Sequence, residues 1–179
     1  MQECKVLGVH LNNELNWNTH VEKILKKANK CIFILIKAKK FKFSFTTLVT
    51  LYSWYVRTAL EYAAPVWHPG LTEQQHEQIE RVQKRCLRII LGSAYTTYDQ
   101  ALQRLKLTTL RSRRDLLTLR LGRSMLRSAD HRDILPPAMN QLHHYNTRGA
   151  RRLQHVRCTR ARHANSFVPY VVRLINSAM

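Results

Sequence analysis

Between residues 19 and 40 the apolar side chains Val21, Ile24, Leu25, Ala28, Ile32, Leu35 and Ile36 recur at helical spacing, with lysines in the gaps. A period of 3.6 gathers them on one face, and Lys23, Lys26, Lys27, Lys30 and Lys37 take the rest. Thr19 and Glu22 stand at capping-box spacing and set the start. FKFSF at 41–45 then breaks the pattern.

The remainder repeats this grammar. A second helix is predicted from Thr46 to Ala63, with Leu48, Leu51, Tyr52, Tyr55, Val56 and Ala59 inward, and Pro65 and Pro69-Gly70 end it. A third starts at Thr72 with the box partner Gln75, turns Ile79, Val82, Cys86, Ile89 and Ile90 inward, and stops at Gly92. Glu77–Arg81 and Glu80–Lys84 are favourable i,i+4 pairs on its wet face. A short helix follows from Thr97, where Gln100 repeats the capping arrangement. A long basic helix then runs from Leu107 to Arg127, with Leu110, Leu117, Leu121 and Met125 facing in. Pro136-Pro137 closes the body. Residues 138–165 are polar, basic and aperiodic, which reads as a mobile arm, and Ser166 to Ser177 suits a last amphipathic helix. Near the N-terminus KVLGVHL at 5–11 reads as a single short strand whose sheet partners lie outside the chain. The expected fold is all-α: about five helices, a strand remnant and a partly disordered basic arm. The boundaries are 1–16 for the remnant, 17–137 for the helical body and 138–179 for the arm.

Charge narrows the function. The chain carries 30 Lys+Arg against 11 Asp+Glu, a formal +19 in 179 residues. Its last acidic residue is Asp133, beyond which stand Arg148, Arg151, Arg152, Arg157, Arg160, Arg162 and Arg173. Self-repulsion of this size opposes compaction, and a polyanion relieves it. Nucleic acid is the leading partner, because basic side chains release the counterions condensed on phosphates. Cys4, Cys31, Cys86 and Cys158 are far apart and suggest no disulfide framework. No secretory signal precedes the body, and the apolar stretches are short and interrupted by lysine. The expectation is an intracellular protein of nucleus or cytoplasm that does not act in a membrane.

Several ordered blocks then become recognisable. Leu7-Gly8-Val9-His10-Leu11, Leu15-Asn16-Trp17 and His20-Val21 resemble a stretch that follows the polymerase core in LINE-type (non-LTR) retrotransposon reverse transcriptases. The resemblance continues through Leu51-Tyr52, Tyr55-Val56-Arg57, Leu60-Glu61-Tyr62-Ala63-Ala64-Pro65-Val66-Trp67 and residues Ile79 to Gly92. Thr147-Arg148, Thr159-Arg160 and Asn165 to Tyr170 are similar to the C-terminal end of jockey-like elements. The family's polymerase chemistry needs metal-holding carboxylates, including an aromatic-x-Asp-Asp turn. Here the aspartates are Asp99, Asp115, Asp130 and Asp133, and no two are adjacent. The resemblance therefore implies a thumb and C-terminal extension lying downstream of the palm, with no catalytic residues, no cofactor and no small-molecule substrate. Such a thumb grips a template–primer duplex by its backbone, and the missing palm or another protein is a further possible partner.

Candidate backbone-binding residues are Lys23, Lys26, Lys27 and Lys30 on the first long helix and Arg81, Lys84, Arg85 and Arg88 on the third. To these are added the cluster Arg111, Arg113 and Arg114, which also suits a nuclear import signal, and Arg148, Arg151 and Arg152 in the arm. A solvated face is the alternative for the two helices, and the overall charge favours backbone binding over it. Trp54, Tyr55, Tyr62 and Trp67 could stack on bases, but their spacing favours core packing. Trp17 and His20 suit a local structural pair. His155, Cys158 and His163 faintly resemble a zinc knuckle with too little cysteine, so no metal site is expected. Two rivals stand beside nucleic-acid binding: a domesticated helical module that binds a protein, and a non-functional remnant that does not fold alone.

Overall fold

A computed structural model of the chain describes residues 3–139 and 152–178. The described residues are all-α apart from one two-stranded sheet. They divide into two compact units, one of Met1–Ala63 with Leu71–Arg113, the other of Ala64–Gly70 with Arg114–Met179. The division falls inside a helix, between Arg113 and Arg114, whereas the sequence pattern placed a boundary at Pro136-Pro137.

The first unit opens with a hairpin, which corrects the expected lone strand. Strands β1 (Glu3–Val6) and β2 (Val9–Asn12) pair antiparallel, with Val6 opposite Val9. The two-residue turn between them has φ of 47° at Leu7 and 85° at Gly8, the left-handed pair that a tight hairpin requires. Reading 5–11 as one run concealed that turn, so the strand's partner is its own neighbour. A Cβ on Gly8 would stand 3.0 Å from the ring of Tyr62, whose hydroxyl donates to the Leu7 carbonyl at 2.9 Å.

Helix α1 (Asn18–Lys40) buries Val21, Ile24, Ala28, Ile32 and Leu35 as its pattern predicted, with His20 and Ala38 added. Its start is not the expected box, for Trp17 occupies the N-cap without a side-chain bond. Trp17 instead stacks edge-on to His20, ring centroids 6.1 Å apart. Helix α2 (Phe45–Leu51) is capped by Ser44 and continues through a π-helical turn, Tyr52–Arg57, into α3 (Thr58–Glu61). The widened turn explains which residues go inside. Leu48, Tyr52, Val56 and Leu60 are buried at intervals of four, and Tyr55 is rotated outward.

Helix α5 (Glu73–Leu91) begins with the predicted box, both halves formed by Thr72 and Gln75, and ends at Gly92 with φ of 57°. Beyond it come α6 (Tyr98–Arg104), capped by Thr97, and α7 (Leu110–Arg127). Gln83 of α5, buried, knits this half together. Its amide donates to the Tyr98 hydroxyl at 2.8 Å and the Thr108 carbonyl at 2.9 Å, and its oxygen accepts from Tyr52. Tyr98 also donates to Glu80, which accepts the backbone N–H of Leu110 at 3.1 Å. Every polar atom of the Gln83 side chain is matched, as burial demands. Nothing in the apolar periodicity announced this network.

In the second unit, α4 (Ala64–Trp67) leads into a 3₁₀ turn at His68–Gly70. The inner face of α7 differs from the expected one. Arg114, Thr118 and Met125 are buried, while Leu121 is exposed and Leu117 half-buried. Gly122 belongs to that face too, because a Cβ there would come within 2.3 Å of Val171 on α9 (Phe167–Ser177). The terminal helix is where the sequence put it. Of the predicted mobile arm, residues 140–151 lie outside the described residues, and the described stretch 152–165 is more structured than expected. Leu153 is buried and bridges to Ala138 in strand fashion, its own N–H and C=O are held by the side-chain amide of Asn176, and α8 (Ala161–Ala164) follows. Met125, Leu135, Leu153, Val171, Val172 and Ile175 form this unit's core. Alternating Leu153 with polar neighbours hid one apolar anchor in a basic stretch.

Candidate nucleic-acid interface

Helices α1 and α5 lie side by side in the same direction. Gln75 donates to Asn18 at 2.7 Å where both begin, and Lys39 donates to the Ile90 carbonyl at 2.7 Å where both end. Parallel helices add their dipoles, so carboxylates suit one end and cations the other. The sequence obeys this. Glu22, Glu73 and Glu77 sit toward the starting end, and no acidic residue stands between Glu22 and Glu61 or between Glu80 and Asp99. The finishing end of the pair therefore carries Lys37, Lys39, Lys40 and Lys42 from one chain stretch and Lys84, Arg85 and Arg88 from the other.

The predicted residues divide on this axis. Lys23 pairs with Glu3 at 3.1 Å, Lys26 with Glu22 at 2.5 Å and Arg81 with Glu77 at 2.9 Å. These exposed pairs hold Glu3 and Glu22 below the ordinary carboxylate range through hydrogen bonds from Lys23 and Lys26. Lys27, Lys30 and Arg85 are exposed and make no ion pair among the described residues. Lys84 lies 5.0 Å over the ring of Tyr98 and Arg88 5.3 Å over Tyr95, so two cations are braced by aromatic faces. Lys37 is placed the same way over Phe33, at 5.1 Å.

The cluster Arg111, Arg113 and Arg114 does not form a cationic face, and this corrects its assignment. Arg111 grips Glu73 with two nitrogens, at 2.7 and 2.8 Å, which lowers the Glu73 pKa by hydrogen bonding. Arg113 does the same to Glu61, at 2.5 and 3.0 Å, and its own pKa rises by that bond. Arg114 is 0 % exposed. Within the second unit its Nε donates to His68 Nδ1 at 3.1 Å, and its guanidinium lies 5.8 Å from the Trp67 ring centre. His68 in turn donates through Nε2 to Asp115 at 2.8 Å, and Asp115 also accepts from the Tyr170 hydroxyl. These arginines hold the fold. Arg148 and Arg151 lie outside the described residues, and Arg152 is exposed.

The aromatic prediction also changes. Trp67 is fully buried, as its spacing suggested, but Trp54 is 68 % exposed, Tyr62 56 % and Tyr55 45 %. Among the described residues no three His, Cys, Asp or Glu side chains come together to hold a metal ion, and no helix is long and apolar enough to cross a membrane. Cys86 is buried, which pushes its thiol up to about 12, and no thiolate is available there at neutral pH. Sequence reasoning overlooked Lys39, Lys40, Lys42, Arg104 and Lys106. The signal for the first three was present: an acid-free run ending a helix.

No family model, curated protein or solved structure matches the chain.

Proposed function

We propose that this chain is a non-catalytic, thumb-derived part of a non-LTR retrotransposon reverse transcriptase, which binds the backbone of RNA or DNA without reading sequence. The observation that carries the reading is the acid-free finishing end of the parallel pair α1 and α5, which carries Lys37, Lys84, Arg85 and Arg88. Phosphates need cations that are not already spent on carboxylates, and this end supplies them. The ordered blocks shared with the family add the parentage, and a missing palm remains a possible protein partner.

The test is a salt series on the full chain by fluorescence anisotropy, with a single strand and an RNA–DNA duplex. Wild type is expected to lose affinity steeply with salt, and replacing Lys84, Arg85 and Arg88 by Gln should flatten the single-strand slope by about 2, at about 0.7 per phosphate. Affinity that ignores both salt and the triple change would sink the proposal. A helical protein-interaction module is the second reading, favoured by Trp54, Phe43 and Phe41 standing open to solvent in the first unit. That module predicts salt-insensitive association with a protein and no retention on nucleic acid.

A further inference from the structure

A groove of about 440 Å³ opens in the first unit between α2 and the end of α6. Ligand pockets span about 300 to 1,000 Å³, so it is large enough for one planar ring with its sugar. Phe45, Val49 and Leu105 give it an apolar wall, Thr46 and Thr50 two hydroxyls, and Arg104 and Lys106 a cationic rim. No acidic side chain lines it. Phe45 is 48 % exposed, and the Lys39 ammonium lies 5.0 Å from its ring centre, which braces the ring and adds a cation beside the groove. Arg104 spends one N–H on the Ala94 carbonyl at 3.5 Å, leaving the rest of its fork. Lys106 follows the helix in a left-handed conformation, φ 53°, which lets the chain reverse and carries its charge beside Arg104.

An aromatic wall with two cations at its edge matches one chemistry in particular: a base with its phosphate. In a duplex both faces of every base are covered by neighbours, so such a wall is useful only to a strand with a free base. From this we infer that the groove holds one unpaired nucleotide of a single strand, its base against Phe45 and Leu105 and its phosphate on Arg104 and Lys106. This rests on the nucleic-acid reading above and sharpens it: backbone binding is indifferent to strandedness, and this groove is not.

The experiment uses the full chain and an oligonucleotide carrying one 5-iodouracil, compared as a single strand and annealed to its complement. Irradiation followed by peptide mass spectrometry should place the single-strand crosslink on Phe45, and annealing should abolish it. Phe45→Ala should weaken single-strand binding by about thirtyfold, a mid-range loss for one stacked base, and leave duplex binding within a factor of two. Phe45→Trp should restore it. Crosslinks confined to Trp54 or Tyr55, or equal losses on strand and duplex, would overturn the groove while leaving backbone binding intact. Wild type that binds neither form at low salt would remove the wider reading as well, and that outcome is visible before any variant is made.

Discussion

Arg81 to Arg88 on α5 and Arg111 to Arg114 on α7 look alike as sequence, each a short basic run on a helix, yet they do opposite things. On α5 the charges past Arg81 meet no carboxylate and face outward, two of them resting on aromatic rings. On α7 one arginine is buried and the other two each grip a glutamate from elsewhere in the first unit. The difference is set by partners distant in sequence: Glu61 and Glu73 are 52 and 38 residues away from the arginines they hold. A basic run therefore shows that charge exists, and only the fold shows whether it is free to meet a phosphate.

The comparison breaks most visibly at Arg114. Removing it takes the Nε donor from the buried His68 Nδ1 and leaves the half-buried Asp115 with less positive charge nearby. Arg114→Met is expected to cost about 3–5 kcal/mol, the usual range for opening a buried charged cluster. Urea unfolding would measure it. If the variant instead unfolds like wild type and binds nucleic acid weakly, Arg114 belongs with the α5 group and the contrast fails.

A second buried group tests whether burial, rather than sequence neighbourhood, decides charge. His20 is 0 % exposed, accepts the backbone N–H of His10 at 3.3 Å, and has a pKa lowered to about 4, first by burial and then by the charge of His10. The sign follows from linkage. Unfolded, the imidazole takes a proton near its ordinary value; folded, it refuses one until about 4. Its contribution is complete above about pH 6.5 and fades as pH falls through that window, by about 3 kcal/mol in all. Stability against urea at pH 7.5, 5.5 and 4.5 should decline in wild type and much less in His20→Gln. Parallel pH profiles for the two proteins would show that His20 is not the group responsible.

How much of this was legible beforehand depends on whether the deciding interaction was local. The Thr72–Gln75 box, the capping by Thr97, the inward face of α1 and the terminal helix were all readable, because each is settled within four residues. The hairpin was nearly readable, for Leu7-Gly8 is the turn, but Leu is an uncommon left-handed residue and masked it. Tyr55 went wrong because a 3.6 period was applied across a π-helical turn. The inward face of α7 went wrong because an arginine and a glycine occupy places where apolar residues were sought. Of the candidate site, Lys27, Lys30, Arg85 and Arg88 are exposed and Lys84 lies over Tyr98, none of them paired with a carboxylate among the described residues, and their role in binding stays a proposal. The α7 arginines could not have been assigned, since their fates depend on Glu61, Glu73 and His68.

The smallest effect is the most pointed, because it tries to turn one class of arginine into the other. Glu73 is exposed and its grip on Arg111 is bidentate, so Glu73→Gln should remove the two charge-assisted bonds it makes to that guanidinium while disturbing little else. If carboxylate pairing alone keeps Arg111 from phosphates, the variant should bind a single strand more tightly at low salt. Its salt slope should steepen by up to about 0.7, the contribution of one added phosphate contact. Lys27→Gln, which removes a cation that has no partner among the described residues, should move the slope by the same amount in the other direction. A Glu73→Gln protein that matches wild type at every salt concentration would mean that Arg111 lies off the path of the strand. Availability would then be governed by position along the α1–α5 axis, with pairing only a consequence of it.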